Sequence, residues 1–177
     1  MSNYRRVFIQ NSYVFLTIIT HKRRPILVEN IELLRNAFRN VKELYAFEIV
    51  ACVVLPEHLH LILSPEKIEN YPKIISSIKH SFSRSLDIKV NDLSESKIKK
   101  REKGVWHRRY FEHTIIDEND LNKHLDYVHY NPAKHGLVAD TKDWEYSTFH
   151  KFVKNNMYDE SWGSDQVPKS VIELYKD

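Results

Sequence analysis

Leu55-Pro56-Glu57-His58-Leu59-His60-Leu61-Ile62-Leu63 is the stretch on which the fold turns. An extended strand sends alternate side chains to opposite faces of its sheet, so residues two apart share a face. His58 and His60 therefore stand side by side, while Leu59, Leu61 and Leu63 point the other way, toward a layer that can bury them. At a rise of about 3.3 Å per residue the two imidazoles sit roughly 6–7 Å apart at their Cα atoms, close enough to converge on one metal ion. The strand has one face for helices and one for chemistry.

Working outward, residues 13–20 are β-branched and aromatic and read as a buried strand, as does the apolar run 47–54. Pro56 and Glu57 make a tight connection between 47–54 and the histidine strand, 58–63. Ile31, Leu34, Phe38, Val41 and Leu44 recur at helical spacing and predict a helix over 29–44. Ile74, Ile75, Ile78, Phe82 and Leu86 predict a second over 71–86, with Pro72 tolerated in its first turn. Residues 91–104 are charged, lack apolar periodicity and read as a mobile loop, and 109–116 read as a fourth strand. Strand, helix, strand, strand, helix, strand is the split βαβ order of a ferredoxin-like α+β domain: a four-stranded antiparallel sheet with two helices on one face. The histidines then face the uncovered side.

An additional helix is available to cover it. Asp117 is a suitable N-cap and Glu118 and Asp120 suit a first turn, so a helix is expected over 117–130, ended by Pro132 and turned by Gly136. Its residues His124, Tyr127 and Asn131 lie at i, i+3 and i+7 on one stripe. Leu137, Val138, Trp144, Tyr146 and Phe149 suggest a docked C-terminal extension, and 155–177 show no clear periodicity. The expected division is a catalytic domain over 1–150 and a tail over 151–177 packed on it or extending from it.

Composition bounds the function. The chain has 177 residues, 42% hydrophobic and 29% charged, which suits one domain with a full core. No apolar run approaches the ~20 residues of a membrane span, and no cleavage site follows the first apolar stretch. The single cysteine, Cys52, excludes an internal disulfide framework and fits a reducing cytoplasm. A net charge of +3 says little, but its distribution says more. Seven lysines and arginines stand against Glu102 alone between Lys97 and Arg109, with Trp106 among them, and Arg5-Arg6 and Lys22-Arg23-Arg24 add two further groups. Such clusters suit a phosphate backbone.

Four segments carry a resemblance: Pro56-Glu57-His58-Leu59-His60, the run from Trp106 through His107-Arg108-Arg109 to His113, the run His124-Leu125-Asp126-Tyr127-Val128-His129-Tyr130-Asn131-Pro132-Ala133-Lys134-His135-Gly136-Leu137-Val138, and Trp144-Glu145-Tyr146-Ser147-Thr148-Phe149-His150. In this order they resemble the REP-associated tyrosine transposases of the HUH single-tyrosine superfamily, over most of the chain. The resemblance implies an enzyme that nicks and rejoins single-stranded DNA, often beside a hairpin from a repetitive extragenic palindrome. It implies Tyr127 as the nucleophile that takes the 5′-phosphate and releases a 3′-hydroxyl. It also implies a monomer with its site completed in cis, whereas insertion-sequence cousins exchange the tyrosine helix in dimers.

The chemistry of the residues agrees. A neutral phenol, with an ordinary pKa of about 10, is a poor nucleophile at neutral pH, so the phosphate must be polarised. His58 and His60 supply two ligands to a divalent cation, magnesium (Mg2+) or manganese (Mn2+), and Asn131 is the chosen third. The cousins carry glutamine there, one methylene longer, which leaves His124 and His129 as rivals. His129, about 200° around the helix from Tyr127, faces elsewhere. DNA contacts are expected from Arg5, Arg6, Arg23, Arg24, Lys99, Lys100, Arg101, Trp106, Arg108 and Arg109, with Trp106 stacking an unpaired base. The alternatives are a non-catalytic nucleic-acid-binding module, a replication initiator or relaxase-type nickase, and a structural zinc protein.

Overall fold

The computed structural model describes residues 8–87, 104–164 and 166–174. Strands β1 (Val14–Ile19), β2 (Phe47–Val54), β3 (His58–Pro65) and β4 (Phe111–Thr114) form one antiparallel sheet in the order β2-β3-β1-β4. Helices α1 (Ile31–Lys42) and α2 (Tyr71–Ser85) cover one face, which is the split βαβ arrangement read from the element order. Leu59, Leu61 and Leu63 are at most 1% exposed and pack with Leu34, Phe38, Ile74, Ile78 and Phe82. Each buried leucine contributes about 2 kcal/mol, so a one-residue slip, which would put His58, His60 and Ile62 on that face in place of the three leucines, is strongly disfavoured. Leu44, expected on the first helix, is instead 72% exposed, because α1 stops at Lys42.

The second face carries Phe15, Ala51, Val53 and Ile62, covered by Leu125 and Val128 of α3 (Glu118–Lys134). Asp117 caps that helix through the Asp120 amide. The expectation that Pro132 ends it is corrected: the helix continues to Lys134. Proline there removes one amide from the final turn, and the turn closes regardless. His135, Gly136 and Leu137 donate their amides to the carbonyls of Asn131, Ala133 and Pro132. Gly136, at φ +67°, supplies the left-handed residue of this Schellman-type end.

The C-terminal extension docks along β2. The Trp144 indole donates to the Val54 carbonyl at 3.0 Å, and the Val54 amide donates to the Tyr146 carbonyl at 2.8 Å. Position 150 falls inside α4 (Phe149–Lys154). Beyond it α5 (Lys169–Leu174), too short to leave a periodic signal, buries Val171 on α3 and pairs Glu173 with Lys123 at 2.9 Å. No helix among the described residues is long and apolar enough to cross a membrane.

Candidate active site

His58 and His60 leave β3 on the α3 side, with ring centroids 4.9 Å apart and planes nearly perpendicular. Both are buried, yet both line a cleft of about 430 Å³ whose wall also includes Thr17, Tyr127, Lys134 and His135. In each ring Nδ1 is engaged. His58 Nδ1 lies 3.1 Å from Glu57 Oε1, and His60 Nδ1 lies 2.9 Å from Thr17 Oγ1, the residue opposite it in the β1–β3 register. With the proton on Nδ1, each ring presents Nε2 as a lone pair. This is how metal-binding imidazoles are oriented from behind.

His60 Nε2 and Asn131 Oδ1 are both buried without a hydrogen-bond partner. Asn131 Nδ2 donates to the Tyr127 carbonyl at 3.0 Å, which turns its oxygen away from the helix backbone. The carboxamide comes near enough to His60 to favour the protonated ring, but burial and the neighbouring His58 outweigh this and hold His60 well below its ordinary value. Burial likewise lowers His58, against the opposing pull of Glu57. Both rings are therefore neutral at neutral pH. Two neutral imidazoles and an orphaned amide oxygen suit a divalent cation that keeps its remaining positions for phosphate and water. Buried polar atoms normally find partners, so these two orphans argue for a ligand.

Tyr127 reaches the cleft from α3, its ring 5.1 Å from that of His60 and edge-on to Phe15 at 5.7 Å. The Lys134 ammonium stands 5.0 Å from the Tyr127 ring centroid, and the His135 ring lies 5.1 Å from that of His58. Both lie in the segment that carries the resemblance, but the sequence reading gives neither a role, since a helix stopped at Pro132 would not carry them into the cleft. His124 also lines the cleft and packs on Phe15 at 4.7 Å. His129 faces away: its Nε2 meets Thr148 Oγ1 at 2.9 Å, and burial among Phe149, Phe152 and Tyr158 lowers its pKa to about 3.

The basic residues are spread more widely. Arg23 lines the cleft, 3.5 Å from Glu57. Arg24 donates to the Gly104 carbonyl at 2.8 Å. Arg108 and Arg109 are exposed. The Trp106 indole donates to the Lys79 carbonyl at 3.0 Å and its ring packs on Phe82, so it sits half-buried against α2. Arg5, Arg6, Lys99, Lys100 and Arg101 lie outside the described residues, as does most of the loop expected over 91–104.

The sequence model of the family described as "Transposase IS200 like" matches residues 8–131. A relative from Haemophilus influenzae, named for the REP-associated tyrosine transposases, is 43% identical over 167 residues, covering 93% of this chain and 95% of the relative. The REP-associated tyrosine transposase of Escherichia coli (strain K12) is 35% identical, with 98% of each chain covered. A solved REP-associated tyrosine transposase bound to a REP hairpin superposes with a TM-score of 0.81 at 33% identity, over 96% of this chain and 94% of that one.

Proposed function

This chain belongs to the IS200-like transposases and, among them, to the REP-associated tyrosine transposases, and we propose that it cuts and rejoins single-stranded DNA beside a palindromic hairpin through a 5′-phosphotyrosine on Tyr127. One observation carries this reading: His58, His60 and Tyr127, from a strand and a helix of the same chain, border one cleft. That arrangement supports a monomer completing its site in cis. The hairpin is the ligand in the solved relative's structure.

In this reading the Tyr127 oxygen gives up its proton to water and attacks phosphorus in line, the bond from phosphorus to the 3′-oxygen breaks, and the departing oxygen takes a proton from water, so the DNA leaves with a 3′-hydroxyl. Rejoining is the reverse, with an incoming 3′-hydroxyl displacing the phenolate. His58, His60 and Asn131 would hold the ion. A bound magnesium or manganese would polarise the scissile phosphate and offset the charge gathering on its oxygens. Thr17 and Glu57 fix the two imidazoles, and Lys134 adds a positive charge beside the phenol. Arg23, which lines the cleft, would receive a phosphate there, while Arg108, Arg109 and the basic residues 5, 6 and 99–101 would extend the backbone contact. Arg24 and Trp106 would act there by holding the 104–109 segment as well as by touching DNA. Residues 1–150 form the catalytic unit in this view, with 151–177 a tail packed on it or extending from it, and the reaction takes place in the cytoplasm.

The test is covalent capture. A labelled hairpin oligonucleotide with a single-stranded flank, incubated with protein and manganese, should yield an adduct that mass spectrometry maps to Tyr127. Tyr127→Phe should abolish it with the fold intact. An adduct on Tyr130, or full cleavage by Tyr127→Phe, would overturn the assignment.

A further inference from the structure

His113, Asp120 and His124 form a cluster at the edge of the sheet that the cutting reaction leaves without a task. His113 comes from β4, while Asp120 and His124 stand one turn apart on α3 and face the same way. Asp120 Oδ2 lies 2.8 Å from His113 Nε2 and accepts the Ile116 amide at 3.0 Å. Asp120 Oδ1 lies 2.9 Å from His124 Nδ1, which is also 2.8 Å from the Asp120 carbonyl oxygen. The two imidazoles stack nearly parallel at 4.7 Å. One ligand atom from each of the three residues lies within 4.8 Å of the others. The Asp120 and His124 side chains are 14% and 8% exposed against 37% for His113, so the cluster has a closed floor and one open side.

Two imidazole nitrogens and a carboxylate oxygen are the donor set of a first-row transition ion, and three protein ligands leave a position for water. Bonds of about 2.0–2.1 Å at tetrahedral angles put neighbouring ligand atoms about 3.3 Å apart. The pairs at 2.8 and 2.9 Å, made to the two different oxygens of Asp120, need to part by about half an ångström, and the three ligand atoms, now within 4.8 Å of one another, need to draw to that common spacing. A ring that binds the ion through the nitrogen now facing Asp120 carries its proton on the other nitrogen, Nδ1 in His113 and Nε2 in His124.

We propose that His113, Asp120 and His124 form a second metal site, for zinc or a similar first-row transition ion with water as fourth ligand, which clips β4 to the first half of α3. It shares no residue with the His58–His60–Asn131 set and stands or falls independently of the catalytic reading. The ion acts as a strut. It spans the helix that carries Tyr127 and a short strand that, among the described residues, pairs with β1 alone.

Cobalt(II) serves as the probe, since its visible absorption reports four-coordinate geometry. Untagged His58→Ala/His60→Ala protein, deprived of the cleft imidazoles, should bind one equivalent of cobalt with that absorption, and zinc should displace it. Zinc should also raise the melting temperature of that protein. Adding His113→Ala should remove both the absorption and the shift. In the otherwise unaltered chain, His113→Ala should lower total zinc bound at saturation by one equivalent, which keeps the test decisive if the double variant folds poorly. The absence of saturable cobalt or zinc binding in folded His58→Ala/His60→Ala protein would overturn the proposal. So would zinc stoichiometry unchanged by both His113→Ala and Asp120→Asn.

Discussion

Helix α3 meets buried polar groups on two of its sides, and the two sides end differently. Toward the C-terminal extension, His129 pairs with Thr148, whose hydroxyl also bridges the Cys52 amide and carbonyl, and Asp126 accepts from Tyr158 and Ser170. His129 Nδ1 is left without a partner there, enclosed by aromatic rings. Toward the cleft, His60 Nε2 and Asn131 Oδ1 are also orphaned, but they come from a strand and a helix and meet beside an opening. A lone orphan inside a packed shell is a packing compromise, whereas orphans converging from separate elements make a place for a ligand.

The contrast is broken if the two sides respond alike to mutation. The largest effect is expected from His60→Ala: single-turnover cleavage of a labelled oligonucleotide should fall by about 10³-fold, with the melting temperature little changed. A large loss of stability with proportionate loss of activity would make His60 a packing residue like His129. Next come the groups behind the proposed ligands. Thr17→Val or Glu57→Gln should raise the manganese concentration for half-maximal cleavage by about 10–100-fold while leaving oligonucleotide binding intact. Unchanged metal dependence in both would remove them from any orienting role.

The packed side should be visible in pH dependence. Above about pH 6.5 His129 is neutral in both folded and unfolded chains, and it contributes no pH dependence. As pH falls from 6.5 toward about 3, the unfolded chain takes up a proton that the folded chain refuses, so stability is lost across that window. One such group changes the unfolding free energy by at most about 1.4 kcal/mol per pH unit, and His129→Leu should reduce the slope by up to that amount in denaturant titrations between pH 6 and 4. An unaltered slope would show that other groups set the acid sensitivity. Tyr158→Phe should act least, removing one hydrogen bond to Asp126 for about 1 kcal/mol in stability and no change in cleavage.

The part of this contrast that lies in local pattern was legible in the sequence. Leucine alternation around His58 and His60 sets their face, and an i, i+4 step ties Asn131 to Tyr127. What escaped depends on pairing between distant segments. Thr17 becomes the partner of His60 only through the β1–β3 register. Glu57, adjacent in sequence, was read as a turn residue and not as a support. Lys134 and His135 were hidden by a proline whose disruption the final turn absorbs. His113 and Asp120 meet because β4 runs straight into the α3 cap. Trp106, read from composition as a base-stacking aromatic, proved to be half-buried against α2 through an indole bond that no local pattern announces.

The sheet order has a consequence for how long the site persists. Thr17, His58 and His60 sit on β1 and β3, the two interior strands, whose backbone amides should open to hydrogen exchange only with global unfolding. Tyr127 and Asn131 arrive on a helix laid over that sheet from outside. The proposed catalytic set is thus divided between two interior strands and a helix laid over them. In the proposed reaction only chains with α3 docked can work, so weakening Val128 or Leu125 should lower turnover in proportion to undocking, with every proposed ligand residue still in the chain.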